Sequence, residues 1–211
     1  MRRALGSSTL PLGRSTFLSS LFGATLLLAP LALATSTGCD LFGEPKPDVT
    51  NKQTFSGEGL HFDYPGNWES QVERETVEGG VTLTSIFVQA KRGNAMAIVQ
   101  QFSPAVPVDY DMLVAEFVKG VQEGMPGFAS AKQLDGGQWP SINRTLVGAD
   151  RPGRQVHYAA EVLGESVPHT VEIFFVELED RTVVVYTQVP DEDRGKAVPG
   201  FDLLLDSLAM D

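Results

Sequence analysis

Side chains able to do chemistry are few in this chain, and their spacing argues against most reactions. Of 211 residues one is cysteine, Cys39, and three are histidine, His61, His157 and His169. A single thiol can make neither an internal disulfide nor a cysteine-cluster metal site. A zinc site needs two or three imidazoles to converge, and no H-x-x-x-H or H-E-x-x-H spacing brings a pair onto one helix face. No metal ligand and no cofactor-binding residue is expected. No G-x-S-x-G elbow is present, and Ser141 and Ser166 are lone hydroxyls in expected loops. Gly136-Gly137 and Arg151-Pro152-Gly153 read as turns, without the lysine and hydroxyl pair of a phosphate loop. Asp191-Glu192-Asp193 lacks the extended ligand spacing of a calcium loop and reads as an acidic surface turn. Glu69, Glu73, Glu75 and Glu78 read as a solvated segment. No catalytic residue is expected. Trp68, Trp139 and Phe128 read as core or edge packing, with a partner-binding face as the alternative.

The thiol is informative through its place. Residues 1–38 hold Arg2, Arg3 and Arg14 and no acidic residue, and an apolar stretch runs from 17 to 34. Small residues then lead into Ala34-Thr35-Ser36-Thr37-Gly38-Cys39-Asp40. Charged region, apolar region and small-residue cleavage site follow in the order of a secretory signal. The junction resembles the lipobox of bacterial lipoproteins: Gly38 fits the position before the cysteine and Thr37 the one before that, while Ser36 stands where leucine is usual. The resemblance implies cleavage after residue 38 and lipid on Cys39. Eighteen residues interrupted by Ser19, Ser20, Gly23, Thr25 and Pro30 are barely enough to span a bilayer uncleaved.

Charge narrows the partners. Residues 39–211 carry 13 Lys+Arg against 27 Asp+Glu, a net charge of −14. Such a body is repelled by phosphate backbones and by anionic lipid, and no basic stripe with interleaved aromatics appears. Nucleic acid is not an expected partner. Membrane residence would depend on covalent lipid, and stable anchoring takes two acyl chains.

The elements follow from periodicity. Residues 39–57, with Gly43, Pro45, Pro47 and Asn51, read as the lipidated cysteine and a flexible tether, and 58–211 as one domain. Leu60-His61-Phe62-Asp63-Tyr64 alternates like a half-buried strand, which places His61 toward solvent. Residues 81–91 and 95–102 predict a hairpin about Arg92-Gly93-Asn94. Asp109 caps a predicted helix over 110–123, with Leu113, Phe117 and Val121 on its apolar side and Gly124 and Pro126 at its end. Strands are expected over 129–134, 143–147, 155–163, 170–178 and 182–189. The unbroken apolar runs Ile173–Val176 and Val183–Tyr186 suit central strands covered on both faces, or on one face plus a helix. A last helix is expected from about 200 to 208. The pattern predicts an α+β domain, an antiparallel sheet of about six to seven strands with helices packed on it.

Two stretches carry a family resemblance. Leu60-His61-Phe62-Asp63-Tyr64-Pro65-Gly66-Asn67-Trp68 looks like the opening strand of the PsbP/DcrB-like family, and Val183-Val184-Val185-Tyr186-Thr187 with Pro190, Phe201-Asp202 and Leu205-Asp206-Ser207-Leu208 looks like its last strand and closing helix. The resemblance covers about residues 54–209 and implies an α/β/α sandwich acting as a noncatalytic accessory or binding domain outside the cytoplasm. No functional residue carries over from it. The expected function is a membrane-anchored binding module of the cell envelope, facing the periplasm or exterior and meeting an envelope protein partner. The alternatives are an envelope hydrolase assembled from distant residues, such as His157 or His169 with a serine, and a lipid or small-ligand carrier between sheet and helix.

Overall fold

The structure is a computed structural model and describes residues 44–124, 128–134, 136, 138–162 and 165–211. Eleven strands and two helices are seen among them, with short 3-10 turns at Glu78–Gly80 and Asp191–Asp193. The strands are β1 Gln53–Gly57, β2 Leu60–Tyr64, β3 Trp68–Thr76, β4 Thr82–Ala90 and β5 Met96–Ser103, then β6 Phe128–Gln133, β7 Ser141–Leu146, β8 Ala149–Val162, β9 Glu165–Glu177, β10 Thr182–Pro190 and β11 Ala209–Met210. Helix α1 spans Tyr110–Gly124 and α2 spans Arg194–Ser207.

Eight strands form one antiparallel sheet in the order β3-β4-β5-β10-β9-β8-β6, with β7 also paired to β8. The long β8 divides its outer edge, giving residues 149–154 to β7 and 158–162 to β6. A smaller sheet, β1-β2-β11, lies apart from it. The protein is thus α+β, as the pattern of elements predicts.

Burial explains the layering. Every residue of β10 is buried, because the strand is central and both faces are covered. Its odd positions, Val183, Val185 and Val189, join a core with Trp68, Phe174 and the α2 residues Phe201, Leu204 and Leu205, against Leu60 and Phe62 of the small sheet. Its even positions, Val184 and Tyr186, face the second core, made with Leu113, Val114 and Phe117 of α1 and with Val156, Tyr158 and Ile173. Asp109 caps α1 as expected, its Oδ1 accepting the Met112 N–H at 2.9 Å.

Several expectations need correction. Arg151-Pro152-Gly153 is not a turn but part of β8, paired with β7. The tether ends early: residues 44–52 lie against the domain and 53–57 are β1, paired with β2. Prolines and polar residues disguise this stretch, because it is held by backbone hydrogen bonds and one buried carboxylate instead of an apolar stripe. The acidic segment after Trp68 is largely exposed, as a solvated segment should be, but Trp68–Thr76 is also the nine-residue strand β3, paired throughout with β4. It lacks alternation because it is an edge strand with little burial on either side, and its charges protect the open edge from pairing with other chains. Helix α2 begins at Arg194 and carries Pro199 inside it. Proline near a helix start misleads because it so often marks the first turn; here the core spacing of Ala197, Gly200, Phe201, Leu204 and Leu205 overrides it.

Candidate functional site

Cys39 and the leader lie outside the described residues. The described chain opens at Glu44, five residues on, and this is where the polar residues are built most deliberately. Glu44 is 3 % exposed. One of its carboxylate oxygens, Oε2, accepts the backbone N–H groups of Asn94 (2.6 Å) and Ala95 (3.1 Å) in the β4–β5 turn. Its own N–H donates to Oδ1 of Asp193, which also receives Lys196 Nζ at 3.2 Å. Gly93, at φ +115°, makes the approach possible, since a Cβ there would collide with the Glu44 carboxylate. Burial pushes the Glu44 carboxyl above its ordinary value, against the two backbone N–H groups that pull it back down.

The strap continues along the domain. Asn67 donates to the Lys46 carbonyl (3.0 Å) and accepts the Asp48 N–H (2.8 Å), while the Gly66 N–H donates to the Asp48 carbonyl. Pro47 and Trp68 close over Gly200 of α2, where an added Cβ would sit 2.7 Å from Trp68 Cζ2 and 3.0 Å from Pro47 Cβ. Sequence reading misses this clamp because its partners stand from 19 to 149 residues apart. A glutamate among prolines offers no local signal.

The histidines are dispersed by strand alternation. His61 lies on β2 with its ring half exposed and its Nε2 3.0 Å from Asp211 Oδ2. In the β8–β9 ladder His157 pairs with Thr170 and His169 with Tyr158, so neighbouring positions send the two imidazoles to opposite faces of the sheet. His169 is buried on the α1 face, stacked on Tyr158 with centroids 5.1 Å apart. Its Nδ1 donates to the Val167 carbonyl at 2.9 Å, which leaves Nε2 as the unprotonated nitrogen of the neutral ring. Burial holds its pKa below the ordinary histidine value, opposed by that hydrogen bond and by the charge of Asp191.

Among the described residues, His157 takes part in an arrangement with a catalytic look. The Thr170 hydroxyl donates to Asp191 Oδ1 at 2.6 Å, and its oxygen lies 3.1 Å from His157 Nδ1. With the hydroxyl proton committed to the carboxylate, Nδ1 must be the donor. An activated nucleophile needs the reverse, a hydroxyl proton directed into an imidazole acceptor. The expected serines sit elsewhere: Ser141 accepts from Arg154 (3.0 Å), and Ser166 lies in β9 opposite Glu161. The acidic turn is also corrected here. Asp191 ties Thr170 of the sheet, and buried Asp193 holds the Glu44 N–H of the strap, so two of its three carboxylates fix the start of α2.

A recess of about 100 Å³ lies beside Thr170, lined also by Arg144, Glu172, Arg194 and Phe201. Its arginines are already engaged: Arg144 forks onto Asp202 and Asp206 (2.8 Å each), and Arg194 pairs with Glu172 (2.7 Å). A drug-sized or lipid ligand needs several times that volume. Among the described residues no group of three metal-ligating side chains converges. Trp68 is fully buried, which assigns it to the core and not to a partner-binding face; Trp139 is partly buried against the α1 core. The side chain of Phe128 is outside the described residues.

The architecture defines an α+β class in which a large antiparallel sheet carries a helix on one face, and a helix with a small second sheet on the other. Two solved structures of this kind are similar to it. The solution structure of cyanobacterial PsbP (CyanoP) from Synechocystis sp. PCC 6803 is 14 % identical with a TM-score of 0.45, over 83 % of this chain and 98 % of that one. LpqN of Mycobacterium tuberculosis, described as involved in cell envelope biogenesis, is 12 % identical with a TM-score of 0.40, over 75 % of this chain and 90 % of that one. At these values neither likeness assigns a ligand, partner or activity to the chain. No protein-family model and no curated protein matches it.

Proposed function

We propose that the chain is an extracytoplasmic lipoprotein, anchored to a membrane through lipid on Cys39, whose folded body is a noncatalytic binding or accessory module of the cell envelope. The observation that carries this reading is the placement of Cys39. It follows a leader-like segment and precedes by five residues a glutamate clamped into the domain. A lone cysteine at the end of such a segment suits covalent attachment. No helix among the described residues is long and apolar enough to cross a membrane, so the anchor proposed is acyl chains and not a span of the domain.

The noncatalytic part of the reading is supported by the proton order at Thr170 and by the engaged arginines of the recess. The small recess volume speaks against a carrier. The module's partner is a protein of the same envelope. Crosslinking and affinity capture of the lipidated protein from its own membranes tests this: a specific envelope partner is expected, and capture of none after exhaustive crosslinking contradicts it.

A further inference from the structure

Strand β3 stands at one end of the large sheet, and its ladder with β4 fixes which backbone groups face outward. The Lys91 N–H donates to the Asn67 carbonyl and the Val77 N–H to the Val81 carbonyl, in register with the pairs between them. Hydrogen-bonded pairs alternate with non-bonded ones in an antiparallel ladder. Glu69, Gln71, Glu73 and Glu75 therefore bond to β4, while Ser70, Val72, Arg74 and Thr76 turn their N–H and C=O groups away from it. Gln53 Nε2 closes this edge at its start, donating to the Trp68 carbonyl at 3.1 Å. Beyond that point Ser70, Val72, Arg74 and Thr76 are all exposed, and no described strand pairs with them. Four such outward positions, without proline or bulge, are a template for one more strand.

The side chains specify what that strand carries. The odd positions share the α1 face of the sheet with Leu83 and Phe87 of β4. Glu69 and Glu73 have only the neutral partners Gln89 and Gln71, at 3.1 Å each. Glu75 Oε1 is buried with no hydrogen-bond partner among the described residues. Burial first, and the charge of Glu73 second, raise the Glu75 carboxyl above its ordinary value. No lysine or arginine stands on this face of β3, β4 or β5. Lys91 and Arg92 lie past Glu69 and offset it. Glu73 and Glu75 are roughly 20 Å or more along the strand from Lys91, beyond a screening length of about 8 Å. On the other face Arg74 is already paired with Glu58, Ser70 meets the Tyr64 hydroxyl, and Val72 is 39 % exposed.

We propose that the outer edge of β3 accepts an extended segment of a partner protein as an added strand, with lysine or arginine at alternate positions facing Glu73 and Glu75 and β-branched residues between them against Val72. The proposal rests on the binding-module reading and names the element of the partner that is recognised. Opposite charges on neighbouring strands stabilise and like charges repel. The carboxylates that turn away a second copy of β3 thus admit a basic strand.

The probe is an end-blocked peptide matched to β3 in length, with lysine alternating with valine or threonine; a control carries glutamate for each lysine. Each is titrated against the full chain in nonionic detergent by fluorescence anisotropy, with residue-resolved hydrogen exchange on the complex. The lysine peptide is expected to bind, the glutamate peptide not, and exchange should slow at the amides of Ser70, Val72, Arg74 and Thr76. Glu73→Gln with Glu75→Gln, nearly isosteric, should weaken binding about three- to tenfold, the loss of two exposed ion pairs. Val72→Pro removes one outward N–H and leaves the β4 ladder whole; it should abolish binding, with melting checked against the parent. No binding of the lysine peptide, equal binding of both peptides, or binding without protection of those four amides overturns the proposal. A dimer of the parent that Val72→Pro dissolves also overturns it, by giving the edge to a second copy. These outcomes leave the module reading standing, since its own test is capture from membranes.

Discussion

Glu44 is a carboxylate whose burial opposes its charge, and that conflict can be measured. Its folded pKa is raised chiefly by desolvation, so the native state favours the protonated form. The stability that follows is fully present below the unfolded value, near 4.5, and is lost as pH rises through the folded pKa. Glu44→Gln keeps an acceptor for the Asn94 and Ala95 N–H groups without the charge. It is expected to melt no lower than the parent at neutral pH and to flatten the pH dependence just above 4.5. Glu44→Ala strands both N–H groups and should cost about 1–3 kcal/mol, read by thermal melting and by tryptic cleavage after the exposed Lys52. A Gln variant as damaged as the Ala variant would show that the charge itself holds the strap. His169 gives the opposite sign. Burial depresses its pKa, so its contribution is present above about 6.5 and is lost as pH falls through the folded value. His169→Phe should keep the stack on Tyr158 and weaken the acid sensitivity of the melting temperature. An unchanged acid limb would move that sensitivity to another group.

At the scale of elements, packing of α2 on the strap makes a sharp demand. Gly200 lies under Trp68, and the two aromatic rings of Trp68 and Phe201 meet edge to face at 5.4 Å. Gly200→Ala gains helix propensity of about 1 kcal/mol but forces Trp68 or Pro47 aside, at a cost of about 1–3 kcal/mol. A net loss in urea-unfolding stability is expected; a gain would mean that the indole shifts freely. The same elements show what the sequence makes legible. Strand β10 and helix α1 announce themselves through Val183–Tyr186 and the Leu113–Phe117 spacing, because burial writes hydrophobic period into a chain. Strand β3 does not, since Glu69, Glu73 and Glu75 lie on an edge where neither face is strongly buried. Strand β1 and the Glu44 clamp are equally silent, because backbone pairing and a carboxylate caught on a distant turn leave no periodic trace. The His157–Thr170–Asp191 contact likewise depends on the register of β8 with β9 and the return of the chain after β10, which no local spacing encodes.

For the whole molecule, the folded unit begins earlier than composition suggests. A chain beginning at residue 58 lacks β1, the strap and the cover over Gly200, and exposes Phe62 and Trp68, which are otherwise buried. It should melt well below a chain beginning at 44 and aggregate more readily on heating; equal melting would show that residues 44–57 are an ornament on an independent domain. Residue 44, already clamped into the folded body, stands five positions after Cys39, which makes Cys39 decisive for the account as a whole. Metabolic labelling with a fatty acid in a bacterial host that processes lipoproteins tests it most directly. The account predicts label in the parent protein and none in Cys39→Ala, whereas equal labelling of the two, or an unlabelled parent, would contradict it.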